Sequence, residues 1–163
     1  MKAFWTAVGI LTALLVQSAL SQVVPAHAHV LDPFLIVLVY CGLNGGEIHG
    51  MLAGAAAGWV QDVHFGGRVL GLAALTKILV GFAVGAGAAR FLLAGPGARL
   101  LVLFVATAVD AVLYQRLAVM FDVKAYELSL PGLAGRAALN AVVGVVLFEA
   151  VDRRTRRRRE LRA

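Results

Sequence analysis

From Ala3 to Val24 the chain carries no charged residue, and charge-free stretches recur at 33–46, 78–89, 100–109 and 137–148. An α-helix needs about 20 predominantly apolar residues to cross the hydrocarbon core of a bilayer. Runs of this length and number, with short polar segments between them, confine the chain to folds whose solvent is largely lipid. Composition agrees. The chain is 61% hydrophobic with a mean hydropathy of +0.86, against about 45–50% apolar in soluble domains. Only 15% of residues are charged, against roughly 25% in soluble domains. One globular core cannot absorb that deficit, and 163 residues suit a single bundle.

The net charge of +6 comes from one end. Arg153, Arg154, Arg156, Arg157, Arg158, Arg159 and Arg162 crowd the last eleven residues, and the rest is nearly neutral. A basic tail could bind nucleic acid. Placed directly after an apolar span, it instead fixes topology and meets anionic headgroups. Cys41 is the single cysteine, so no internal disulfide is possible, and its plain reading is a small buried hydrophobe.

The hydropathy pattern predicts an all-α polytopic membrane protein with six helices in one compact bundle. The expected spans are 3–24, 33–43, 48–63, 69–89, 100–121 and 136–151. The second and third are short, divided by Asn44-Gly45-Gly46-Glu47, which is strong turn chemistry. Gly95-Pro96-Gly97 and Pro131-Gly132 read as loops. Residues 1–151 then form the bundle and 152–163 a basic cytoplasmic tail. With both termini inside, Lys2, Arg90, Arg99 and the tail arginines lie on one side and Arg68, Lys124 and Arg136 on the other. A five-span chain would move Lys2 outward, so the positive-inside rule favours six. Lys2, the first apolar run and Ala26-His27-Ala28 also resemble a secretory signal with its cleavage site, but the run exceeds the usual 7–15 residues, and a helix is expected.

Charged residues inside a span face the bundle interior or a partner. Lys77 and Asp110 fall at similar depths, roughly 12 and 16 Å from the outer ends of their expected helices, and a buried ion pair between them is the plainer expectation. A binding or conduction role is the sharper one. Asp62 and Arg116 are a second possible pair, with Arg116 snorkelling to headgroups as the alternative. Glu149 and Arg153 are spaced for a local pair, and Asn140 for an interhelical hydrogen bond. Gly50, Gly54 and Gly58 make one side-chain-poor face, and Gly81 and Gly85 another. Such faces let backbones approach closely, either within the bundle or against a partner's helix. His27, His29, Asp32, Asp62 and His64 could gather on the outer side, but they lack defined zinc-ligand spacing, and no metal or cofactor is expected. The sequence has no HExxH, GxSxG or phosphate-loop motif, and no enzymatic activity is expected.

One stretch carries more information. Asp32-Pro33-Phe34-Leu35-Ile36-Val37-Leu38-Val39-Tyr40 is followed by Gly50, Gly54, Gly58, Gln61-Asp62, Gly66-Gly67, Gly71-Leu72, Ala74-Leu75, Lys77 and Gly81-Phe82. This order resembles the rod shape-determining protein MreD family, with the glycine-rich helix ending in Gln-Asp as its clearest mark. The resemblance implies a multi-pass subunit of the bacterial inner membrane with both termini cytoplasmic. It also implies a bitopic MreC-like partner, which links the subunit indirectly to MreB, RodA and a class B penicillin-binding protein. No nucleic-acid partner is implied. The role would be scaffolding or regulating lateral-wall peptidoglycan synthesis. The family is also distantly similar to substrate-binding S components of energy-coupling-factor vitamin transporters, which are six-helix bundles. Asp62 and Lys77 match family-typical positions.

Overall fold

The computed structural model describes residues 2–23, 30–65, 69–90, 95–122 and 129–160. They form six helices: α1 (Lys2–Val23), α2 (Pro33–Gly45), α3 (Glu47–Phe65), α4 (Leu72–Arg90), α5 (Pro96–Met120) and α6 (Leu130–Glu160). No strand occurs among the described residues. Four helices are long and apolar enough to cross a membrane: α1, α4, α5 and the 130–154 part of α6. The chain is an all-α polytopic membrane protein.

The shortest helix is the centre. α2 packs against each of the other five helices. Pro33, Phe34, Leu35, Ile36, Leu38, Val39, Cys41 and Gly42 are all buried, because a helix that is apolar all round has no face to give to water. At 13 residues it is about 20 Å long, less than the roughly 30 Å of a hydrocarbon core. Its ends are sharply defined. The Asp32 side chain accepts the Leu35 N–H at 3.0 Å and Pro33 sits in the first turn, an N-terminus built from a capping carboxylate and a residue with φ already fixed. At the other end Gly46 takes φ +81°, and its N–H donates to the Gly42 carbonyl. That one left-handed residue separates α2 from α3, as the Asn44-Gly45-Gly46-Glu47 sequence predicts.

Around α2, one apolar cluster joins Leu35, Leu38 and Val39 to Ala53 of α3, Val80 and Val84 of α4, Leu103 and Ala106 of α5, and Ala141 and Phe148 of α6. A second joins Ile10 and Ala13 of α1 to Phe34 and Ala57. α1 touches the bundle through Ile10, Ala13 and Gln17, a stripe at helical spacing, and exposes Phe4, Trp5, Leu11 and Leu15. α6 exposes Leu139, Val142, Val146 and Leu147. These outward apolar residues suit a lipid surround, since nothing apolar would hold them in water.

Two expected loops are helical starts. Pro96 opens α5 and Pro131 lies in the first turn of α6. Proline breaks a helix interior but is pre-organised for a first turn, where its missing N–H costs nothing. Ser129 supports the second start, its hydroxyl accepting the Gly132 N–H. At the far end α6 runs without a break through residue 151 to Glu160, so the basic tail continues the last helix.

Candidate functional site

The glycines of α3 face α4 along its length. A Cβ on Gly54 would strike the Lys77 carbonyl, one on Gly58 the backbone of Ala74, and one on Gly50 the carbonyl of Gly81. From the opposite side, a Cβ on Gly81 would strike the Gly50 carbonyl, and one on Gly85 would lie 2.6 Å from Glu47 Cα. The five glycines are the two halves of one seam. Of the two uses expected for these faces, packing within the bundle is the one observed: α3 and α4 cover each other's glycines, because a small-residue stripe buries best against another.

Lys77 emerges from this seam on the side away from α3. It is 2% exposed, and its ammonium lies 2.9 Å from Asp32 Oδ2 and 3.4 Å from Asp110 Oδ2. The expected pair with Asp110 forms, but Asp32 is the nearer partner. Arg136 Nη2 approaches the same Asp32 oxygen at 3.7 Å. Asn140 completes the cluster: its Oδ1 accepts the Asp32 backbone N–H at 2.8 Å, and its Nδ2 donates to the carbonyls of Val30 and Arg136. Two carboxylates and two cations thus balance in a region where an unpaired charge would be very costly. Asp32 is the hub, capping α2 while bound to α4 and α6. One oxygen of Asp110, Oδ1, and the Arg136 Nε are buried without a protein partner.

Asp62 does something other than pair with Arg116. Its carboxylate accepts the N–H groups of Gly71, Ala73 and Ala74 at 3.0, 3.2 and 3.1 Å. These belong to the opening of α4, where backbone donors lack intrahelical partners and a negative charge meets the positive end of the helix dipole. Gly71 takes φ +100° just before α4, a conformation open to glycine at little cost. The last turn of the glycine-rich helix thereby caps the helix it packs against. Arg116 is exposed on α5 and makes no ion pair among the described residues.

A second polar group lies near the other end of α6. Arg99 holds Asp152 at 2.8 Å and Glu149 at 3.7 Å, and the Tyr40 hydroxyl donates to Asp152 at 3.2 Å. The expected Glu149–Arg153 contact is present but long, at 4.0 Å. Of the residues considered for zinc, His27 and His29 lie outside the described residues, Asp32 and Asp62 are engaged as above, and His64 is exposed against Phe65. Among the described residues no group of three or more metal-type ligands converges.

Reading from sequence missed Asp32 and Arg136 as partners of Lys77. A signal was available: Asp before Pro marks a helix start, which buries the carboxylate beside whatever packs on that end, and Arg136 stands one turn before Asn140.

A multi-helix membrane bundle with a seam of glycines, a buried neutral charge cluster and an inter-helix carboxylate cap defines a polytopic helix-packing protein. The family description rod shape-determining protein MreD matches residues 2–152, nearly the whole chain, and the chain belongs to that family. No curated protein and no solved structure matches it.

Proposed function

We propose that this protein is a non-enzymatic subunit of the cell-elongation complex, which scaffolds or regulates lateral-wall peptidoglycan synthesis beside a bitopic MreC-like partner. The family's role is rod-shape determination, and the match over residues 2–152 carries the proposal. The reading places the protein in the bacterial inner membrane with both termini cytoplasmic, connected through its partner to MreB, RodA and a class B penicillin-binding protein. The geometry supports a packing role. Lys77, Asp110 and Asp62 would have to line an open cavity in a vitamin-binding transporter subunit. Here they are 2, 3 and 4% exposed and spend their hydrogen bonds on the chain's own helices.

The test is mild solubilisation of native membranes containing the tagged protein, followed by identification of what co-purifies. MreC-like, RodA-like or penicillin-binding proteins are expected. Recovery of paired ATPases with a coupling membrane subunit would overturn the proposal in favour of a transporter.

A further inference from the structure

α6 is longer than a membrane is thick. Its 31 residues rise about 46 Å, while a hydrocarbon core measures about 30 Å. The apolar part, residues 130–151, covers about 33 Å and suffices to cross. The following turns carry arginine at 153, 154, 156, 157, 158 and 159. At 100° per residue these positions fall on every side of the helix axis, with no gap wider than about 100°. A helix lying flat on a membrane needs an apolar face opposite its basic one, and this segment has none. It continues the spanning helix instead, and its six arginine positions rise about 9 Å. That is close to the thickness of one headgroup layer, roughly 5–8 Å.

The junction is fastened. Asp152, the last residue before the arginines, is held by Arg99 of α5 and Tyr40 of α2, and Glu149 by Arg99. These two carboxylates are already engaged, and Arg153 reaches Glu149 only at 4.0 Å. Arg153 and Arg154 are exposed.

We infer that residues 153–159 form an arginine collar that binds the phosphates of anionic phospholipids in the leaflet from which α6 emerges. The occupant follows from position: a ring of cations starting where the apolar span stops meets lipid phosphate before it meets any soluble anion. The clamp on Asp152 ties the start of the collar to α2 and α5. This inference is independent of the elongation-complex reading.

The full-length protein in mild detergent, titrated with phosphatidylglycerol and with phosphatidylcholine of the same acyl chains, gives its headgroup preference by native mass spectrometry. Each basic residue near an anionic surface contributes about a fivefold change in affinity. The combined variant R156Q/R157Q/R158Q/R159Q should lose its preference for phosphatidylglycerol by at least about tenfold. Glutamine is a good helix former, so the arm stays helical, as circular dichroism will show. The corresponding lysine variant should keep the preference within about threefold, and R90Q, which removes a single cation from the same side at the end of α4, should cost no more than about fivefold. An unaltered preference in the glutamine variant would overturn the inference, and so would a loss in R90Q as large as its own.

Discussion

α4 is held on its two sides by opposite means. Toward α3 it presents Gly81 and Gly85, and contact is made by backbone because side chains are missing. Toward α2 and α5 it presents Lys77, the longest side chain on its buried face, and contact is made by charge. A seam of the first kind has no slack, since an added carbon meets a carbonyl or a Cα that cannot turn aside. A cluster of the second kind has tolerances, because ammonium and carboxylates can re-aim and the charge can be removed in balanced sets. The seam should therefore fail under any enlargement, whereas the cluster should fail only when charge is left uncompensated.

The largest effect is expected at the seam. Gly81→Leu should cost more than about 3 kcal/mol, enough to abolish accumulation of a monodisperse protein in size-exclusion chromatography. Lys77→Ala comes next, leaving Asp32 and Asp110 buried without their shared cation, at a cost of about 3–5 kcal/mol in thermal unfolding. A Lys77→Met/Asp110→Asn double variant, which removes one charge of each sign and leaves Asp32 paired with Arg136, should recover much of that loss, which a seam variant could not do. Asp62→Ala removes the acceptor of three N–H groups at the start of α4 and should cost about 1–2 kcal/mol. Asp110→Asn is expected to be mildest of these, about 1 kcal/mol, since Asp110 is the more distant partner of Lys77 and Asp32 keeps the ammonium paired. A melting series in which Asp110→Asn melts below Lys77→Ala would break the comparison.

What the sequence disclosed followed from periodicity and from the cost of charge in lipid. Six helices, the break at Gly46 and the meeting of Lys77 with Asp110 were legible because each follows from a local rule. The glycine stripes were legible as close-packing faces, yet nothing within one stripe says which backbone it meets. That α3 and α4 meet each other depends on the tight connection capped by Asp62. The same gap concealed Asp32: a residue outside every apolar run reads as solvent-facing, but capping the central helix carries it into the interior. Pro96 and Pro131 misled for a related reason, since a proline-glycine pair marks a boundary without saying on which side the helix lies.

The central claim is that the glycine seam is internal, so that the MreC-like partner proposed above would engage another surface. Gly54→Leu tests it most directly, read in one preparation for both the melting of the bundle and the amount of co-purifying MreC-like protein. A Cβ at this position already meets the Lys77 carbonyl. The predicted result is therefore a bundle that melts far lower or fails to accumulate, with the partner lost only in proportion to folded protein. A Gly54→Leu bundle that melts like the parent but no longer retains its partner would place the glycine face at the partner interface and contradict the account.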